Sequence, residues 1–178
     1  MTLKNRVSPY KRLLTIAIII FALNQASKLW ITTLLPLGSY WQPNSIELID
    51  SFLYIVHIGN KGAAWGMFSG HGNWLAIFAV GALVAIYYLR ESLELKQPFI
   101  QMAFGLLIGG VLGNLNDRII HGHVIDFIDI HLPFSLPYLL EGGRYPAFNV
   151  ADCGIVIGVF AYALMSVFSK PSGLRKST

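Results

Sequence analysis

Four apolar runs, each long enough to cross a lipid bilayer, leave this chain few folds to choose from. They cover approximately residues 13–35, 70–89, 99–115 and 148–168. A hydrocarbon core of about 30 Å calls for roughly 20 apolar residues of helix at about 1.5 Å per residue. Inside lipid each backbone N–H and C=O must be satisfied by the chain itself, so such runs are helical. Charged residues are only 12% of the chain and hydrophobic ones 54%. A soluble domain carries about 25% charged residues, so the main solvent here is lipid. The predicted architecture is an all-α membrane protein. Residues 1–178 form a single integral membrane domain with four transmembrane helices. The basic start before the first run raises a cleaved leader as an alternative, but the run is too long and no small-residue cleavage site ends it.

The segments between the runs differ in character. Pro36, Gly38, Pro43 and Asn44 break the first helix. Phe52 to Phe68, FLYIVHIGNKGAAWGMF, is rich in aromatic and β-branched residues, which predicts a strand or hairpin. Trp41, Phe52, Tyr54, Trp65 and Phe68 suit a small sheet or cradle at the headgroup level, where amphipathic rings collect. Residues 116–147 read as a long polar loop, with room for a short helix. Gly105, Gly109 and Gly113, and later Gly154 and Gly158, recur four apart and predict close helix contacts.

Charge sets the orientation. The net charge is +4, with an isoelectric point near 9.3. The basic residues lie in tails and short loops, where they act as topology signals, so no nucleic-acid partner is expected. Lys4, Arg6, Lys11 and Arg12, then Arg90 and Lys96, then Lys170, Arg175 and Lys176 fall on one side; Lys61, Arg118 and Arg144 fall on the other. The positive-inside rule then puts both termini in the cytoplasm and the two long connections outside. The single cysteine, Cys153, excludes an internal disulfide and reads as a small core residue without a neighbouring base.

Against that apolar background, GGVLGNLNDRIIHGHVIDFIDIH (Gly109–His131) crowds Asn114, Asp117, Arg118, His121, His123, Asp126, Asp129 and His131 together. Ionisable groups at membrane depth are expensive to bury and mark function by default. Lys28 lies 15 residues past Leu13, and Asn114 15 past Phe99, each about 22 Å up its helix. Asn149 and Asp152 open the fourth run from the outer side. Polar groups from three helices thus meet at one level, near the outer interface.

Two of these groups, Asp126 and Asp152, form the expected catalytic pair. Paired buried carboxylates share one proton, so one acts as base toward water while the other activates the scissile carbonyl. Competing readings are blander. Asn149 and Asp152 fit a helix cap, Asp126 fits an exposed strand position, and Asp117 with Arg118 fits an outer-face ion pair. The histidine and aspartate side chains also suggest a metal-dependent hydrolase, although no HExxH or paired-cysteine spacing accompanies them. A non-enzymatic proton or ion carrier would use the same carboxylates, but four runs without an inverted repeat give it little support.

NQASK (Asn24–Lys28), NKGAAWG (Asn60–Gly66), GGVLGNLNDR (Gly109–Arg118), VIDFIDIH (Val124–His131) and FNVAD (Phe148–Asp152) occur in that order. With these blocks the chain resembles the prolipoprotein signal peptidase family, signal peptidase II, over essentially its whole length. The resemblance implies a four-span aspartyl endopeptidase of the bacterial inner membrane. Such an enzyme removes the signal peptide from diacylglyceryl-modified prolipoproteins immediately before the lipidated cysteine. It implies catalytic Asp126 and Asp152, with Asn60, Asn114, Arg118, Asn149, Gly110 and Lys28 as substrate-binding or supporting residues. It implies no cofactor and no metal. Its partners are the lipid-modified substrate and membrane lipids, with a monomer supplying every group. Two positions depart from the family pattern. Asn24 stands where Asp is usual, so Lys28 is expected to lack an anionic neighbour and to snorkel outward or find carbonyls. Trp65 stands where Phe is usual.

Overall fold

The computed structural model describes residues 8–41, 43–62, 72–136 and 140–168. Trp65, Phe68, His71, Pro137, residues 63–66 of the NKGAAWG block and the basic residues of both tails before Ser8 and after Phe168 lie outside them.

After a 3-10 turn at Ser8–Tyr10 comes helix α1 (Lys11–Leu34). Strands β1 (Ile46–Ile49) and β2 (Leu53–Asn60) follow, then helices α2 (Gly72–Tyr88) and α3 (Pro98–His121). Strand β3 (Val124–Ile130), a 3-10 turn at Glu141–Gly143 and helix α4 (Val150–Phe168) complete the order.

Helix α3 has clear punctuation at both ends. Pro98 occupies its first turn, where a missing N–H costs nothing. Gly122 ends it in the left-handed region, φ 72°, with its N–H returning to the Arg118 carbonyl. The expected boundary at Leu115 is therefore too early. No glycine or proline interrupts residues 116–121, and the helix continues until one does. This correction matters because it puts Asp117 and Arg118 on a rigid element.

The three strands form one antiparallel sheet in the order β1-β2-β3. Ile58 pairs with Asp126 and Asn60 with Val124, and an irregularity between Ile55 and Ile58 shifts the register. Such a bulge re-aims the side chains beyond it. Phe148 bridges to Ile128 and Arg144 to His131, so the segment leading into α4 runs back along β3.

Helix α3 is the centre of the bundle, with α1 and α4 packed against it. Adjacent glycines serve the two contacts. A Cβ on Gly109 would sit 2.6 Å from the Ala17 carbonyl oxygen of α1. One on Gly110 would strike the Ala151 carbonyl and Ile155 of α4. Only hydrogen at both positions permits both approaches.

The distribution of polarity is inverted relative to a soluble protein. Ile18, Phe78 and Phe160 are each about two-thirds exposed, whereas Asn24, Lys28, Asp117 and Asn149 are buried. Helices α1, α3 and α4 are long and apolar enough to cross a membrane. Helix α2 is apolar but has 17 residues and buries none of them.

Candidate active site

The C-terminal end of α3 and the N-terminal end of α4 meet the sheet around a cavity of about 300 Å³. Asn60, Asn114, Arg118, Asp126 and Asp152 line it, and Tyr145, Pro146, Ala147 and Phe148 form one wall. Ile155 and Val156 of α4 close another side. Val156 is half exposed, so this wall is also part of the exposed surface of α4.

Asn149 joins the two carboxylates. Its side-chain amide donates to Asp126 Oδ1 at 2.7 Å, and its backbone N–H donates to Asp152 Oδ2 at 3.0 Å. It is at the same time the cap of α4. Its Oδ1 accepts from the N–H of Ala151 at 2.7 Å and of Asp152 at 3.3 Å, and its carbonyl takes the first helical bond, from Cys153. The reciprocal bond from Asp152 makes a capping box. The helix cap is therefore present, and the residue that makes it also holds the Asp126 carboxyl.

Each carboxylate has both oxygens held by N–H donors. Asp126 Oδ2 accepts from the Asn60 amide at 2.9 Å, across the β2–β3 pair. Asp152 Oδ1 accepts from the Asn114 amide at 2.8 Å. No cation forms an ion pair with either among the described residues. Burial, followed by the charge on Asp152, pushes the Asp126 carboxyl up to about 7. The amides of Asn60 and Asn149 oppose that shift but do not cancel it. The raised value belongs to the coupled pair rather than to Asp126 alone.

Arg118 reaches the cavity from α3. Its Nη2 donates to the Gly62 carbonyl at 3.2 Å and its Nη1 to the Asn114 carbonyl at 3.4 Å. Its buried Nε has no hydrogen-bond partner among the described residues.

Lys28 overturns its sequence expectation. It does not snorkel; it is 2% exposed, with Nζ 2.7 Å from Asp117 Oδ2 and 2.9 Å from Asn114 Oδ1. Its anion comes from α3 rather than from position 24. Asn24 instead accepts from the Ala151 N–H at 3.2 Å, tying α1 to the start of α4. Asp117 and Arg118 do not form the expected ion pair, because the Asp117 carboxylate is turned toward Lys28 and Gln25 of α1 and the Ile125 N–H of β3. Gly110 supports the site only indirectly, through the α3–α4 approach.

The other ionisable residues disperse. Asp129 accepts from His131 at 3.0 Å and from Arg144, whose guanidinium also stacks over Tyr40 and Trp41. His57 Nδ1 lies 2.8 Å from the Leu35 carbonyl at the end of α1. No group of three or more His, Cys, Asp or Glu side chains among the described residues is arranged to hold a metal ion. The Tyr145–Phe148 wall was not anticipated from sequence, because nothing in a proline-containing loop signals that it pairs back onto β3.

A family model described as Signal peptidase (SPase) II matches residues 16–168. The chain belongs to the signal peptidase II family. Signal peptidase II enzymes are aspartic peptidases that process lipoproteins. A lipoprotein signal peptidase of Aeromonas hydrophila subsp. hydrophila is 38% identical over 153 residues, 83% of each chain. One from Staphylococcus haemolyticus is 36% identical over 148 residues, covering 82% of this chain and 84% of that one. Among solved structures, a bacterial membrane enzyme superposes with a TM-score of 0.75 at 31% identity, covering 93% of both chains. Membership in signal peptidase II agrees with the multi-pass membrane character of the apolar helices.

Proposed function

We propose that this chain is an intramembrane aspartyl endopeptidase that cuts diacylglyceryl-modified prolipoproteins immediately before the lipidated cysteine, with Asp126 and Asp152 as its catalytic pair. The observation that carries this is the double donation from Asn149, which holds carboxyls from a strand and from a helix around one cavity.

The chemistry follows from one shared proton. The ionised carboxylate takes a proton from a water in the cavity as the water oxygen attacks the scissile carbonyl carbon. The protonated carboxyl gives its proton to the carbonyl oxygen. Collapse of the resulting gem-diol breaks the C–N bond, and a proton passes to the departing amine. The products are a signal peptide with a free carboxylate and a lipoprotein with a free cysteine amine. Neither a metal nor a cofactor is required. Asn60 and Arg118 line the cavity and are placed to meet the substrate backbone; Asn114, Asn149, Lys28 and Gly110 support the pair.

In this reading residues 1–178 are one integral membrane domain. Helix α2 is the fourth span. Both termini are cytoplasmic, and the site lies near the periplasmic face of the inner membrane. The positive-inside distribution of Lys and Arg supports that orientation. The exposed Val156 supports lateral access from lipid, and one chain supplies every proposed group, which suits a monomer.

The decisive experiment incubates purified protein with a diacylglyceryl-modified preprotein and identifies the products by mass spectrometry. Cleavage before the modified cysteine is expected. An intact substrate, or a cut elsewhere, overturns the proposal.

A further inference from the structure

Asp117 is a buried carboxylate, 1% exposed, that the proposed chemistry does not use. Both of its oxygens accept. Oδ2 takes the Lys28 ammonium at 2.7 Å and the Ile125 backbone N–H at 3.0 Å. Oδ1 takes the Gln25 amide at 3.2 Å. Gln25 is itself oriented by Asn116, whose amide donates to Gln25 Oε1 at 2.8 Å.

Two of those bonds lead to the catalytic pair by separate routes. Lys28 goes on to donate to Asn114 Oδ1, which leaves the Asn114 amide N–H pointing at Asp152 Oδ1. An ammonium can only donate, so Lys28, together with the Asn149 amide that donates to the same oxygen at 3.2 Å, turns the Asn114 N–H toward the carboxylate. Ile125, on the other route, precedes Asp126 on β3. Its N–H on Asp117 fastens the strand to α3 beside the reacting carboxyl. Asp117 thus touches neither aspartate and bears on both.

We infer that Asp117 is the positioning residue of the aspartate pair, setting Asp152 through Lys28 and Asn114 and setting Asp126 through the Ile125 backbone. This rests on Asp126 and Asp152 being the catalytic pair. The alternative is that Lys28 and Asp117 are only a structural ion pair. Stability alone cannot separate the two, because breaking one member leaves an uncompensated buried charge. Replacing both with neutral side chains can separate them, since such replacement is often neutral for folding or stabilising.

The test compares Lys28→Met/Asp117→Asn with the parent enzyme, purified in full length, on a diacylglyceryl-modified preprotein peptide. The double variant is expected to keep the parent's Tm within about 3 °C and its KM within about threefold. Its kcat is expected to fall at least about tenfold. A folded double variant with the parent's kcat overturns the inference. If the double variant does not fold, Asp117→Glu carries the test, because it keeps the charge and displaces it by one methylene. It should lower kcat at unchanged KM, and parental kcat in that variant overturns the inference. Asp126→Asn is run alongside. A normally active Asp126→Asn sinks the catalytic assignment itself, whereas an inactive Asp126→Asn beside a fully active double variant sinks only the role of Asp117.

Discussion

The Asn149 amide lies 2.7 Å from Asp126 Oδ1, so the residue that caps a membrane helix also steers a carboxyl on a strand. Helix capping and carboxylate placement cannot then be varied independently. Asn149→Ala removes the cap, which costs about 1 kcal/mol. It also leaves Asp126 Oδ1 without its donor. We expect a modest loss in thermal stability, a few degrees, together with a fall in kcat of at least about tenfold. Activity that declines only in proportion to the folded fraction would separate the two roles and count against the shared design.

Asp126→Asn and Asp152→Asn should each abolish cleavage, by about a thousandfold or more, because a pair sharing one proton cannot work with one member amidated. Both variants keep the side-chain shape and should remain folded. Circular dichroism with a gel-based cleavage assay checks this, and normal turnover by either variant refutes the assignment.

Stability and activity should both depend on pH through Asp126. Its ordinary value is 3.8 and the folded protein raises it to about 7. The folded state therefore keeps a proton that the unfolded chain has released. That contribution to stability is full below about pH 4 and is lost as pH rises toward about 7. Unfolding midpoints in detergent should fall across that window, with a flatter slope in Asp126→Asn. Cleavage should decline on the alkaline side with an apparent pKa near 7, as the shared proton leaves. A rate still rising between pH 7 and 9 would contradict the shared-proton arrangement.

Arg144→Ala should loosen the wall of the cavity. Arg144 ties Asp129 to the Tyr40 carbonyl and stacks on two rings. Its loss leaves Asp129 buried with only His131, at a cost of about 3 kcal/mol. Because Tyr145 to Phe148 follow directly, KM should rise more than kcat falls. Steady-state kinetics on the variant checks that split.

Gly110→Leu should disrupt the α3–α4 contact. Its new atoms would run into the Ala151 carbonyl and Ile155, and overpacking of this kind costs about 1–3 kcal/mol. Ala151 lies next to Asp152, so cleavage should fall along with Tm. An unchanged Tm would show that the helices part without cost.

The outline of this fold was legible in the sequence because lipid makes long apolar runs unambiguous and makes polar residues within them conspicuous. Lys28, Asn114, Asn149 and Asp152 could be brought to one level by counting helical rise, whereas Asp126, on a strand, could not. Nor could the partner of Lys28 be found this way. A count gives height along a helix but not azimuth, and Asn24 drew attention to the wrong neighbour. The end of α3 was misplaced for a related reason: Asn116, Asp117 and Arg118 look like loop residues until a buried cation and a strand N–H are seen to satisfy Asp117. Strand register was equally hidden, since the irregularity between Ile55 and Ile58 leaves no mark in composition.

Val156 belongs at once to the cavity wall and to the exposed apolar surface of α4, the helix proposed to cross the bilayer here. A compound competing for this site would therefore be met in two dimensions, at its density per unit of bilayer area rather than per volume of buffer. Inhibitor potency should weaken by surface dilution as inert phospholipid or detergent is added at constant total inhibitor, and a kinetic constant for this enzyme carries meaning only when expressed as a mole fraction of the amphiphile.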